Sequence, residues 1–396
     1  MTTVLISGAG IAGPALAHWL SRTGYRVVVV ETAPGIRSGG QTVDLRGAGH
    51  DVTAQMGLLE AVTAKALDQR GAAWVRADGS RRAEMPVTAF HGNGLVSKLE
   101  ILRGDLVEVL YRATEASTEY RFGTRITAID GSTVTLSDGS TVTADLIVGA
   151  DGPHSAVRRL VFGPEDQFTT LLGGYHAWFS APDTAGLDGW FLLYQEPGLN
   201  ASMRPSHDPA VAKAGLAFRS GPVDYDRRDT GAQIELLRRQ FADAQWHCPQ
   251  LLAAAAEADD FHFDAFLQVH MDSFTRGNVA LVGDAGYCAS PLSGMGTSLA
   301  LVGAYVLAGE LGPADSFAAE ALPDALARYE TVLRPYIERC QTLANGIDGY
   351  LPKTNGDIVV TAQVMKWMQR WPFRPIAERK WFTTADSIAL PHYPRG

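Results

Sequence analysis

One short stretch constrains this chain more than any other. Gly8-Ala9-Gly10-Ile11-Ala12-Gly13 sits between an apolar run, Val4 to Ser7, and residues 13–23, where Ala15, Leu16, Trp19 and Leu20 share a helical face. Gly24 stops that helix, and residues 26–31 (RVVVVE) read as a buried parallel strand. Strand, glycine loop, helix and strand make the β-α-β unit that binds dinucleotides. The first two glycines allow a tight turn and close approach of a pyrophosphate. The third lets helix and strand pack, and Ile11 and Ala12 bring the helix N-terminus toward the phosphates. Glu31 ends the second strand, where a carboxylate accepts hydrogen bonds from a ribose diol and disfavours a 2′-phosphate. The site is therefore expected to hold FAD or NAD rather than NADP. A bare glycine-rich turn is the alternative; the acid in place argues against it.

Two later motifs sharpen this. Asp151-Gly152 lies in DLIVGADGPHSAVRRLV, a strand, a turn and a helix bearing Ser155 and Arg158. Asp284 follows the strand 278–283 (NVALVG), with Pro291, Gly294, Gly296 and Thr297 beyond it. An aspartate at a strand end can bond ribityl hydroxyls. Glycines allow a ligand close, and a helix starting near 297 points its positive end at that ligand.

Between the motifs, residues 51–68 look helical, 72–90 hold short alternating segments, 100–117 look helical, and 125–147 alternate as hairpins around Asp138-Gly139. From about 165 to 275 the texture changes to aromatic-rich alternating segments at 171–181, 190–195, 199–204 and 214–220, then helices at 232–244 and 250–257. Helices are expected at 296–311, 323–346 and 356–371. The expected fold class is α/β: a discontinuous Rossmann-type domain for the FAD or NAD (1–165 and 276–346), an inserted, mostly antiparallel β-sheet domain expected to take the substrate (166–275) and a C-terminal helical segment (347–396).

Composition excludes several function classes. The chain has 396 residues, 46% hydrophobic and 19% charged, the balance of a globular protein. Its net charge of -9 repels phosphate backbones, so nucleic acid is not an expected partner. Cys248, Cys288 and Cys340 form no C-x-x-C pair, which argues against a zinc site and a disulfide reductase. No ligand spacing such as H-E-x-x-H is present, so no metal is expected. Neither a secretory pattern nor a membrane-length apolar run is seen, and a cytoplasmic enzyme is the default.

The order GAGIAG with Glu31, then GADGPHSAVR, then GDAGYCASPLSGMGTS resembles the single-component FAD monooxygenases related to para-hydroxybenzoate hydroxylase, over nearly the whole chain. Gly286-Tyr287 stands where that family commonly has Ala-His, Ser298 where it has Asn, and Gly303 where an acid is usual. These details, with DLRG, ILRGDLVE and SPLSG, resemble the branch of flavin enzymes that inactivate tetracyclines. The resemblance implies that Gly8, Gly10, Gly13 and Glu31 hold the ADP part of FAD. By the same likeness Arg103 contacts the cofactor, Asp284 meets the ribityl chain, Gly294 to Thr297 flank the isoalloxazine, and Arg46 lies near the ring.

It also implies hydroxylation of an aromatic or polyketide-like ring through a flavin C4a-hydroperoxide, with dioxygen as co-substrate and NADH or NADPH as transient reductant. There is no second G-x-G-x-x-G in strand–helix context, so no second dinucleotide domain is expected. The substrate is expected between flavin and sheet, near His176, Tyr194, Gln195, Met203, Phe218 and Arg219; for each, plain core packing or a surface role is the alternative. Competing readings are a flavin-dependent reductase of the same fold, a flavin-binding protein without turnover, and a biosynthetic rather than antibiotic-inactivating role. The sequence leaves the oligomeric state open; a monomer is compatible with it.

Overall fold

The computed structural model describes residues 1–37, 39–92, 94–343, 347–370, 373–374 and 384–393. A six-stranded sheet runs in the order 275–276, 279–281, 146–149, 3–7, 26–31 and 119–122. Its pairs are parallel except the outermost, 275–276 with 279–281. Its central strands are apolar through their middles because both faces are covered; Val4, Leu5, Ile6, Val28 and Val29 are fully buried. Helices Ala12–Arg22, Gly296–Leu311 and Leu322–Leu343 pack into this core.

The second sheet has seven strands in the order 262–269, 169–182, 211–219, 199–205, 190–196, 71–75 and 81–86. Here the structure corrects the sequence boundaries. Residues 71–86, assigned above to the cofactor domain, belong to this sheet; Gly71–Val75 pairs parallel with Trp190–Glu196. Their short alternation is local and carries no mark of the partner strand, which lies more than a hundred residues on. One face of the sheet packs on helices Thr230–Gln240 and Cys248–Glu257. The other looks toward the cofactor domain.

Smaller corrections have local causes. The helix expected over 51–68 is two, Gly47–Gln55 and Leu59–Thr63, parted at Gly57, whose φ is +76°. The helix expected from residue 100 starts at Arg103, because Glu100–Leu102 pairs with Thr42–Asp44 as a two-stranded ribbon. The helices expected over 323–346 and 356–371 span Leu322–Leu343 and Asn355–Trp367; residues 344–346 and 371 lie outside the described ones. The second is started by a capping box between Thr354 and Asp357.

The departures at 287 and 303 explain each other. Tyr287 is buried and its hydroxyl lies 3.0 Å from that of Tyr329, which donates to the Leu281 carbonyl at 2.9 Å. A Cβ on Gly303 would collide with the Tyr287 hydroxyl. The tyrosine fills the space that a side chain at 303 would need.

Candidate active site

The three motifs meet at one cleft of about 540 Å³ between the sheets. Gly8, Gly10, Ile11, Ala12, Glu31, Arg103, Asp151, Asp284, Pro291, Gly294, Gly296 and Thr297 all line it. Gly8 has φ +107°, and a Cβ there would strike the Ala150 carbonyl. A Cβ on Gly13 would strike the Gly8 carbonyl, so Gly13 is a packing residue behind the loop rather than part of the lining. Glu31 locks the loop from outside: its carboxylate accepts from the Ala9 amide at 2.9 Å and the Ala33 amide at 2.8 Å.

Asp151 divides its two oxygens. Oδ2 accepts from Ser7 Oγ (3.4 Å) and from the Ala156 and Val157 amides (2.8 and 3.3 Å), fixing the start of helix Ala156–Val161. Oδ1 is buried with no donor among the described residues. Burial raises the pKa of this carboxyl and of Asp284, which is equally enclosed. Arg103 reaches toward the glycine loop, its guanidinium 3.2 Å from where a Gly10 Cβ would be. Its backbone amide donates to the Gln41 carbonyl at 2.9 Å, but no hydrogen bond or ion pair holds its guanidinium among the described residues; burial lowers its pKa against the charges of Asp284 and Glu31. A glycine cradle, an unpaired cation and unsatisfied acceptors, strung along one cleft, fit a dinucleotide with a polyol bridge.

Two residues not assigned from sequence hold the motifs together. Arg158 is completely buried; it donates to the Ala285 carbonyl at 2.8 Å and to the Pro153 carbonyl, tying the Asp151 turn to the Asp284 turn. His154, in the cleft wall, bridges the domains, with Nδ1 2.9 Å from Glu165 and Nε2 3.0 Å from Asp264. Burial works against its imidazolium, but hydrogen bonds to the two carboxylates outweigh it and push the pKa up to about 9 from 6.5. A raised histidine contributes stability in full below its unfolded pKa, and loses it as pH rises through the folded one. Thermal stability is therefore expected to fall between about pH 6.5 and pH 9, by up to about 3 kcal/mol, and His154→Gln is expected to flatten that dependence. A melting series across this range tests it; identical slopes for the two proteins would refute the bridge.

The expected substrate residues fare differently. Tyr194, Met203 and Phe218 point to the helix-covered face of the sheet, away from the cleft, in the core with Leu237, Phe241 and Leu251. His176 is on the cleft side but buried, stacked 4.6 Å from the Phe266 ring, its pKa lowered to about 3 by burial. Gln195 and Arg219 secure the segment before the C-terminal helix: Gln195 donates to the Gly349 and Tyr350 carbonyls, and Arg219 to the Leu351 carbonyl. None of the six lines the cleft. Arg46 is also turned from it, its guanidinium on Asp44 and the Gly94 carbonyl, while its own carbonyl accepts from Ser298 Oγ at 3.4 Å.

The sheet residues that do reach the cleft are Trp178 and Arg204. Strand alternation places them: Trp178 lies two positions from His176, and Asn200, Ser202 and Arg204 are the polar alternate positions of one strand.

Residues 1–343 match the family model described as FAD binding domain, and the chain belongs to that family. A Mycobacterium tuberculosis protein is 43% identical over 358 residues, covering 89% of this chain and 95% of its own. A flavin-dependent monooxygenase of Legionella longbeachae is 38% identical over 342 residues, covering 85% and 86%. Among solved structures, the tetracycline destructase Tet(51) superposes with a TM-score of 0.82 at 33% identity, covering 100% of this chain and 99% of its own. The chain is an FAD-dependent monooxygenase, as its motifs implied. No described helix is long and apolar enough to cross a membrane.

Proposed function

We propose that this monooxygenase oxygenates a fused polyketide ring of the tetracycline type, using dioxygen, with NADPH or NADH as a transient reductant, in the cytoplasm. The observation that carries this reading is the whole-length likeness to tetracycline destructases, 33% identical for Tet(51) and 35% for Tet(55), which extends through both sheets and the C-terminal segment. When bound and reduced, FAD supplies the activation of dioxygen.

The chain's own residues do the rest. Gly8, Gly10 and the start of helix Ala12–Arg22 hold the pyrophosphate, with Arg103 as its cation. Asp284 accepts from ribityl hydroxyls. Pro291 and Gly294 to Thr297 bring backbone against the ring, where the start of helix Gly296–Leu311 favours negative charge. Trp178 and Arg204 form the opposite wall and hold the substrate between themselves and the flavin.

The test is NADPH and NADH oxidation by FAD-loaded protein with and without tetracyclines and simpler phenols, with products weighed. Faster oxidation and a product heavier by one oxygen atom support the reading. FAD retention with oxygenation of simple phenols alone would overturn the substrate assignment.

A further inference from the structure

Helix Asn355–Trp367 is apolar on two sides. On its inner side Ala362, with Met368 just past the helix end, packs on Trp74, Met85 and Phe191 of the second sheet. Its outer side carries Val359, Val360, Val364 and Trp367, and Phe373 follows. All five are exposed, Val360 by 61% and Trp367 by 53%. They make up five of the eight large apolar side chains exposed among the described residues, so the exposure is concentrated here rather than scattered. Val360, Val364 and Trp367 recur at helical spacing and form one stripe. The Phe373 ring extends it, edge-on to Trp367 at 6.2 Å. A helix lying on a domain ordinarily turns polar residues to water; this one turns a second apolar face.

The face is held in place at both ends. The capping box of Thr354 and Asp357 starts the helix, and beyond its last turn Gln369 Nε2 donates to the Glu84 carbonyl at 2.8 Å.

Its charge runs against that of the chain. The protein has a net charge of -9, yet residues 358–377 contain no acid and carry Lys366, Arg370 and Arg374. The Arg370 guanidinium lies 5.7 Å from the Trp367 ring centroid. Arg81 and Arg82 add to this margin from strand 81–86, which packs beside the helix, against one acid there, Glu84. Two copies meeting on this face across a two-fold axis would set Lys366 and Arg370 against themselves, and like charges at a contact repel. An apolar stripe bordered by cations fits a surface that is apolar beneath and negative at its rim.

We propose that this face docks the protein on an anionic lipid surface, the valines and aromatic rings entering between the headgroups and the cations resting on lipid phosphates. A helix of 13 residues, about 20 Å long, lies along such a surface and does not cross it. The acidic remainder of the chain is repelled by the same lipids, so the protein sits on this face alone. The inference goes beyond the substrate reading above and does not depend on it.

The experiment is vesicle flotation of the full, FAD-loaded chain. The vesicles are phosphatidylcholine alone, or phosphatidylcholine with phosphatidylglycerol. The wild type is expected to bind the mixed vesicles at least about tenfold more tightly than the neutral ones, and about 0.5 M salt to remove that difference. Val360→Asp with Trp367→Ser is expected to weaken binding to both at least about tenfold. Lys366→Gln with Arg370→Gln is expected to abolish the preference and keep the neutral level. None of these residues lines the cleft, so both variants should keep their FAD and oxidise NADPH in solution as the wild type does.

A wild type that stays in the buffer with mixed vesicles, or binds both kinds equally, overturns the proposal. So does binding that survives Val360→Asp with Trp367→Ser. Loss of FAD from either variant would make the face part of the fold and also overturns it. A dimer in sedimentation equilibrium that Val360→Asp with Trp367→Ser dissolves would assign the face to a second copy instead. Docking without oxygenation of any ring supports this inference and sinks the substrate reading; tetracycline oxygenation without docking does the reverse.

Discussion

Asp284→Ala is expected to give a folded protein that no longer retains its flavin, with FAD affinity lowered about 10- to 100-fold. Asp284 is enclosed and lines the cleft, and burial raises its pKa. Within the chain its compensation comes from the Cys288 thiol and the charge of Arg103. A carboxylate kept in so costly a place is matched to donors that arrive with the ligand. The same reasoning sets the sign for the flavin-free protein: without the desolvated charge, it should be at least as stable as the parent. Fluorescence titration of the stripped protein with FAD reads the affinity, and a thermal melt without FAD reads the stability. An unchanged affinity would remove Asp284 from the cofactor site.

The second large effect has the opposite signature. Arg158→Met is expected to destabilise the protein by about 2–5 kcal/mol even without flavin, because it takes the donor from the buried Ala285 carbonyl and the half-buried Pro153 carbonyl. It also unties the Asp151 turn from the Asp284 turn, so FAD affinity should fall although Arg158 does not line the cleft. Melting of the flavin-free protein separates the two variants. A stripped Arg158→Met protein that melts with the parent would show that the tie is dispensable.

What the sequence disclosed follows from the range of the interactions involved. Gly8, Gly13 and Glu31 were readable because a strand, a turn and a helix in immediate succession define their place, and the structure brings Gly8 and Glu31 to the cleft with Gly13 packed behind the loop. Asp151 and Asp284 were readable for the same reason. Arg158 was visible only as a neighbour of Asp151; its partner, the Ala285 carbonyl, is 127 residues away. Tyr194, Met203 and Phe218 were misplaced because an aromatic strand residue looks the same whichever face it occupies; only the register decides, and helices 230–240 and 248–257 cover their face. Trp178 and Arg204 were within reach through the two-residue period, had a single face been chosen for the whole sheet. The Asp44–Glu100 pairing was beyond reach, since it depends on a ribbon between strands some sixty residues apart.

The interleaving of strands 71–75 and 81–86 with the later sheet bears on how the chain is made and how it can be cut. These strands leave the ribosome long before Trp190–Glu196, the strand against which Gly71–Val75 lies. Until then the hairpin has no second neighbour to pair with, and the cofactor domain around it cannot close. Synthesis therefore sets a waiting period in which apolar residues such as Ala72 and Trp74 are open to chaperones. A gene fragment covering only 166–275 would lack that pair and present strand 190–196 as a bare edge, inviting self-association. Swapping substrate preferences between relatives thus calls for exchanging two stretches of the gene together, 71–86 along with 166–275, rather than the obvious block alone.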